Sequence, residues 1–169
     1  MLLLSFQAIF VLCICFTIVS DFRNLLIPNW IVIVLVSTFV VYAAVYLEPK
    51  AALVHFGLAI VVFLFATAFF VFNWIAGGDV KFVTAVALWM GPEHTAQFLM
   101  LMALAGAALA LTLLSIRKYS FLLIANLPHS WVVQRVTTLA EHGQCPYGIA
   151  IGIAALLTPS SLFLRGTTL

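Results

Sequence analysis

The chain has 169 residues, of which 66% are hydrophobic and only 7% charged, with a formal net charge of +2. An ordinary soluble domain is roughly 25% charged, and no globular core could bury this much apolar surface. The few basic residues are scattered and form no patch that would suit a nucleic acid. Composition therefore predicts an integral membrane protein that does not bind nucleic acid.

Five stretches without Asp, Glu, Lys or Arg are each long enough to cross a hydrocarbon core, which takes about 18–20 helical residues. They are Met1–Ser20, Asn24–Leu47, Ala51–Gly78, His94–Ile116 and His142–Leu164. The first should stay in the mature protein, because no basic residue precedes it and no small-residue cleavage site follows it. A shorter neutral run, Phe82–Pro92, becomes a short sixth span when Gly78–Lys81 is added. We predict an all-α polytopic membrane protein with about six transmembrane helices in a single domain, residues 1–169.

Basic residues predict how these spans are oriented, because loops rich in Lys and Arg normally face the cytoplasm. Short connections put five basic residues on one side and two on the other. The larger group is Arg23, Lys81, Arg117, Lys118 and Arg135, and the smaller is Lys50 and Arg165. The larger group is therefore predicted to be cytoplasmic, with both termini on the other side of the membrane.

The last cytoplasmic stretch contains an amphipathic pattern. Apolar side chains recur there on one face at helical spacing, at Trp131, Val132, Val136, Leu139 and Ala140. Such a pattern predicts a helix that lies along the membrane interface.

The chain contains only two aspartates, Asp21 and Asp79, and the predicted topology places both at cytoplasmic ends of spans. A carboxylate near a membrane is costly unless it is paired, hydrated or functional, so each is a candidate functional residue. Both can also be interpreted as ordinary helix-end charges, Asp21 beside Arg23 and Asp79 beside Lys81.

The residues around Asp79 favour a functional role. Gly77 and Gly78 precede it directly, and each glycine destabilises a helix interior by about 1 kcal/mol relative to alanine. We therefore expect unwound backbone at Gly77 and Gly78, which an extended peptide could approach closely. Near Asp21, Pro28 and Asn29 predict a tight loop that leads into the next helix.

The sequence offers no metal site that we can identify. Cys13 and Cys15 lie within the first span and Cys145 is alone, so no CxxC pair exists. The histidines fall on both predicted sides without ligand spacing; they are His55, His94, His129 and His142. We expect no metal and no other cofactor.

Three motifs on the predicted cytoplasmic side resemble a known family. Asp-x-Arg-x-x-x-Ile-Pro-Asn at Asp21–Asn29 and Gly-Gly-Asp-Val-Lys at Gly77–Lys81 are similar to motifs of type IV prepilin peptidases, aspartic proteases of the GxGD class. The short chain, with Pro146-Tyr147-Gly148 ahead of the last span, most resembles the CpaA- or TadV-like form that serves tight-adherence (Flp) pili. Ala76 stands where the GxGD pattern has a glycine.

The resemblance implies an intramembrane aspartic endopeptidase with Asp21 and Asp79 as its catalytic pair. Its implied substrate is a prepilin, with a basic leader and a hydrophobic helix, cut at the cytoplasmic face of the bacterial inner membrane; the pilus assembly machinery is an implied partner. Longer relatives carry a zinc-binding CxxC insertion linked to N-methylation, which is absent here, so we expect peptidase activity alone. Residues implied to bind substrate or support the site are Gly77, Gly78, Lys81, Arg23, Pro146, Tyr147 and Gly148.

Two other functions remain open. In a small proton-coupled transporter the two aspartates would carry protons, but that function favours acidic residues deeper in the spans and symmetric broken helices. A non-catalytic subunit of a membrane assembly would need neither feature.

Overall fold

The computed structural model describes residues 2–126, 131–143 and 145–158. These residues form six α-helices and no β-strand. Four of the helices are long and apolar enough to cross a membrane, which confirms the predicted all-α polytopic membrane protein. The helices are α1 (Leu2–Asn24), α2 (Asn29–Tyr46), α3 (Pro49–Val71), α4 (Gly77–Asn126), α5 (Trp131–His142) and α6 (Tyr147–Leu157).

The outer surface of the long helices is apolar. Leu53, Ile60 and Phe65 on α3, for example, are 72%, 59% and 68% exposed. Contiguous exposed apolar surface on this scale is rare in soluble monomers and normal in contact with lipid.

Helix α4 contains a sharp reversal at Gly91 and Pro92. Gly91 has a φ of +66°, and the Thr95 hydroxyl lies 3.4 Å from the carbonyl oxygen of Ala87. Residues eight apart in a straight helix are separated by about 12 Å along the axis, so the chain must fold back here. Both ends of α4 accordingly lie at the same end of the bundle, where Gly78 and Leu113 each have neighbours in the segment that follows α1.

This reversal explains how the six predicted spans correspond to the structure. The predicted spans 78–92 and 94–116 are the two halves of α4, which is helical on both sides of the turn and forms one element. The predicted span His142–Leu164 corresponds to α6, although part of that stretch lies outside the described residues.

His55 of α3 supports the turn in α4. Proline has no N–H, so Pro92 leaves the carbonyl oxygen of Leu88 without its helical donor. The Nδ1 atom of His55 lies 2.8 Å from that oxygen and supplies the missing hydrogen bond. A Cβ atom at Gly91 would overlap the His55 ring, so glycine is required by space as well as by its positive φ.

The first half of α4 forms the centre of the bundle. Its Trp89 packs against Phe10 of α1 and Phe39 of α2, with ring centroids 5.5 and 5.3 Å apart. The indole N–H of Trp89 donates to the carbonyl oxygen of Leu35 at 3.0 Å, so its polar atom is satisfied inside the core. This core holds α1, α2 and the first half of α4 together.

Helix α5 confirms the predicted amphipathic helix, and its location along the membrane interface stays a prediction. Leu139 is buried against Leu113 of α4, whereas Trp131 on the same helix is 57% exposed. Arg135 Nε donates to the carbonyl oxygen of Phe22 at 3.0 Å and so ties α5 to the last turn of α1.

Candidate active site

A cleft of about 460 Å³ opens where α1 ends and α2, α4 and α6 begin. Asp21 and Asp79, which are far apart in the sequence, both face it. The complete lining is Asp21, Leu25, Leu26, Ile27, Asn29, Ala76, Gly78, Asp79, Lys81, Cys145 and Tyr147.

Asp21 lies in the last turn of α1 and is only 4% exposed. Its carboxylate faces the N-terminus of α6, where the N–H groups of Gly148 and Ile149 point toward it. A helix N-terminus carries partial positive charge and favours an anion there. A Cβ atom on Gly148 would lie 2.8 Å from Asp21 Oδ2, so only glycine permits this approach. Among the described residues, the buried Oδ2 atom itself has no hydrogen-bond partner.

Asp79 lies in the first turn of α4 and is 8% exposed. The backbone N–H of Ala76 donates to its Oδ2 atom at 3.4 Å, which is a long and weak bond. An acidic side chain in the first turn also complements the helix dipole. Asp79 is therefore held by the start of its own helix and directed into the cleft.

The prediction of unwound backbone at Gly77 and Gly78 is wrong. Both glycines belong to the first turn of α4, and the irregular backbone lies just before them, where Asn73 has a φ of +58°. The first turn of a helix has unpaired N–H groups in any case, so glycine costs less there than in the interior. A Cβ atom on Gly78 would be 3.5 Å from Ile27, an ordinary contact, and Gly78 lines the cleft.

The two carboxylates interact electrostatically with each other and with Cys145. Cys145 lines the cleft just before α6. Burial raises the pKa of its thiol, and the negative charges of Asp21 and Asp79 raise that pKa further. The cleft is thus partly desolvated and negatively charged.

Lys81 and Tyr147 also line the cleft, as the motifs predicted. Lys81 Nζ donates to the side-chain oxygen of Asn29 at 3.1 Å and so connects the first turns of α4 and α2. Within the part of the chain that the structure describes, no group of three His, Cys, Asp or Glu side chains is close enough to hold a metal ion.

Four of the predicted supporting residues are not part of the cleft lining, and of these only Gly148 is in contact with a carboxylate, that of Asp21. Arg23 points away and stacks over the Trp131 ring, 5.4 Å from its centroid. Gly77 lies against the ring of Phe70, and Pro146 is buried as the residue before α6. Pro146 and Arg23 thus contact the helices that carry the site, while neither reaches the carboxylates.

Sequence reasoning missed several cleft residues. Asn29 was interpreted as a helix start and Cys145 as a buried thiol, and both line the cleft. Leu25 and Leu26 have no sequence feature that marks them as cleft residues. Their position depends on the local backbone: Leu25 has a φ of +53°, and the Leu26 carbonyl oxygen accepts a hydrogen bond from the Ser20 hydroxyl at 2.8 Å. Asn29 belongs to the Asp21–Asn29 motif and could have been identified from it.

One comparison with known proteins identifies a family. A model of the type IV leader peptidase family matches residues 8–111, a stretch that contains both aspartates and more than half of the chain. No curated protein and no solved structure is significantly similar to it. On the strength of the family match, the chain belongs to the type IV leader peptidase family.

Proposed function

We propose that the chain is an intramembrane aspartic endopeptidase that removes the leader peptide from type IV prepilins, with Asp21 and Asp79 as its catalytic pair. The family supplies the class of reaction and substrate. The observation that carries the assignment of residues is that two buried carboxylates, on different helices, face one cleft.

Two neighbouring carboxylates repel each other when both are ionised, so the pair favours one shared proton. The ionised group accepts a proton from water as the water oxygen attacks the scissile carbonyl carbon. The protonated group donates its proton to the carbonyl oxygen, giving a neutral tetrahedral intermediate. Collapse of this intermediate breaks the C–N bond: the protonated group gives its proton to the amine nitrogen, and the ionised group takes the proton of one hydroxyl of the intermediate. A new carboxyl group and amino terminus are released, and the pair again holds one proton.

The polar residues around the pair supply the supporting roles in this proposal. Lys81, held by Asn29, is positioned to orient a substrate carbonyl or carboxylate at the edge of the cleft. Gly148 brings the α6 amides to Asp21, and Gly78 forms part of the cleft wall. Tyr147 completes the wall of the cleft.

We further propose that the cleft faces the cytoplasm of a bacterium, in the inner membrane. Arg23, Lys81 and Arg135 flank the same end of the bundle as the cleft, which is the end predicted to be cytoplasmic. A basic leader would meet a negatively charged cleft there, while the hydrophobic helix of the prepilin stays in the bilayer.

We also propose which form of the family the chain represents. The short chain and Pro146-Tyr147-Gly148 support a CpaA- or TadV-like enzyme of Flp pili that works with the pilus assembly machinery. The chain acts as a single domain and performs cleavage without methylation. The Ala76 substitution in the GxGD pattern is compatible with this function, because position 76 contributes a backbone N–H to Asp79.

The test is cleavage of a prepilin by purified variants in lipid nanodiscs. Asp21→Asn and Asp79→Asn keep the side-chain shape and remove the ability to exchange a proton, so each should abolish cleavage at normal yield. The double variant should be scarcely worse than either single variant, because residues that act as one unit are strongly non-additive. Glu93→Gln is the matched control, since Glu93 is exposed and distant in sequence from both motifs.

Substantial cleavage by either Asn variant would refute the catalytic pair. The transporter and the non-catalytic subunit would then be the functions to examine.

A further inference from the structure

An apolar groove of about 570 Å³ runs along α3 and both halves of α4. Leu58, Val61 and Phe69 line it from α3, and Ala96, Leu99 and Met102 line it from α4. By the rise of an α-helix, the stretch from Leu58 to Phe69 spans roughly 16 Å. The hydroxyl of Thr95, a polar group in the lining, already donates to the carbonyl of Gly91 at 2.6 Å. The groove therefore suits an apolar occupant.

A series of aromatic rings marks the end of the groove nearest the cleft. Phe65 and Phe69 are 5.2 Å apart, Phe69 and Trp74 are 5.4 Å apart, and Trp74 and Phe72 are 5.9 Å apart. Phe72 and Trp74 are 67% and 65% exposed although they lie in the short segment between α3 and α4. Tryptophan is enriched at the membrane–water interface, so exposed Trp74 suits that location.

The groove and the catalytic cleft are neighbours along the chain. Ile75 lines the groove, and the next residue, Ala76, lines the cleft. Only small residues follow before Asp79, namely Ala76, Gly77 and Gly78. No bulky side chain from this segment separates the two spaces.

We propose that this groove holds the hydrophobic helix of the prepilin, so that the chain preceding the helix passes Ile75 and enters the cleft. The inference rests on the proposed function and adds where the substrate binds. In a bilayer, helices associate through packing and not through the hydrophobic effect, so a vacant groove between two helices is the surface that rewards a third. The interfacial rings would set the depth at which the scissile bond meets the carboxylates.

Photo-crosslinking tests the location directly. p-Benzoylphenylalanine in place of Val61, which lines the groove, should crosslink to full-length prepilin in nanodiscs. The same residue in place of Ile60 is the control, because Ile60 has similar exposure (59% against 61%) but lies outside the groove lining. Equal yields from the two positions would overturn the proposal. So would a crosslink only to a second copy of the chain, or a higher yield from Val19, which lines a separate groove against α5.

A kinetic test uses paired substitutions on α4. Ala96→Trp fills the groove from an exposed position, and Ala108→Trp places the same bulk at an exposed position outside the lining. We expect Ala96→Trp to lower kcat/KM for full-length prepilin by about tenfold or more, the effect of losing roughly 1.4 kcal/mol of binding. Cleavage of a short peptide that contains the scissile bond but no hydrophobic helix should be unchanged.

Loss of activity on both substrates, or on neither, would contradict the groove as the helix site. These outcomes are distinct from a failure of the catalytic pair, which would appear as activity in the Asn variants on either substrate. The crosslink from Val61 does not depend on turnover and can be repeated with Asp79→Asn.

Discussion

At the scale of single residues, Gly148 determines how closely α6 approaches the Asp21 carboxylate. The carboxylate meets the α6 amides because no side chain lies between them. Catalytic groups lose much of their effect when they are displaced by about 1 Å, and such a displacement can cost roughly 100-fold in rate. The position needs glycine because glycine has no side chain, and not because of its conformational freedom.

Gly148→Ala should therefore lower the rate of prepilin cleavage by roughly 100-fold, because its methyl group would push Asp21 away. Gly106→Ala is a matched control on the face of α4 that packs against α6. A new Cβ there would be 3.6 Å from the Tyr147 ring, an ordinary contact. The measurement is initial rate in nanodiscs, with melting temperature as the check on folding. A Gly148→Ala enzyme with normal turnover would show that the α6 contact does not position Asp21.

Cys145 reports the charge of the cleft. Its raised pKa means that the thiol stays protonated at pH values where an exposed thiol begins to ionise, and only the thiolate reacts quickly with an alkylating agent. In a variant with Cys13 and Cys15 replaced by alanine, alkylation of Cys145 by iodoacetamide should therefore need a higher pH than alkylation of a free thiol.

Adding Asp21→Asn and Asp79→Asn to that variant should shift the alkylation profile of Cys145 to lower pH, because the negative charges that raise its pKa are gone. Part of the elevation should persist, since burial is its largest cause. An identical profile with and without the carboxylates would mean that the pair carries no charge near the thiol.

At the scale of elements, the turn within α4 decides which residues can meet at the cleft. The predicted spans that end at Pro92 and begin at His94 implied a chain reversal between them, and the contact between Thr95 and Ala87 confirms the reversal. The partner that makes the turn stable could not be predicted, because His55 lies on another helix and nothing in its local sequence indicates a contact with Leu88. Helix periodicity similarly identified α5 but gave no sign that Arg135 would bind the backbone at Phe22.

His55→Phe should destabilise the bundle by about 1–3 kcal/mol, the cost of leaving the buried Leu88 carbonyl without a donor. Phenylalanine keeps an aromatic ring, slightly larger than imidazole, to stack on Phe39 and removes the Nδ1 donor. The measurement is the thermal unfolding midpoint in one detergent, with His94→Phe as the control because His94 makes only a 3.9 Å contact with Glu93. Equal midpoints for His55→Phe and the unmodified protein would show that the carbonyl finds another donor.

At the scale of the whole molecule, the alternation of spans brings the end of α1 and the start of α4, and with them both aspartates, to one end of the bundle. This could be predicted, because the chain has only two aspartates and the alternation of spans puts them on one side. The glycines before Asp79 were assigned to unwound backbone because their helix propensity is low, yet they form a first turn, where propensity matters less. Depth and distance in the cleft depend on packing between helices and could not be obtained from any local pattern.

The bundle must be oriented with the cleft toward the cytoplasm, because only then can the cleft meet a cytoplasmic leader. Alkaline phosphatase is active only outside the cytoplasm, so a fusion after Arg117 should be inactive and a fusion after Lys50 should be active. Arg117 follows Leu113 and Ile116, which pack beside Leu25 at the end of the bundle that holds the cleft. Lys50 is the second residue of α3, just after the connection from α2. The excess of basic residues on one side, five against two, favours this orientation.

A reporter that is active only in the cytoplasm, such as green fluorescent protein, should give the opposite pattern at both positions. Phosphatase activity after Arg117 with none after Lys50 would place the carboxylates on the outer side and separate them from the leader, even if the pair itself proved catalytic on a peptide.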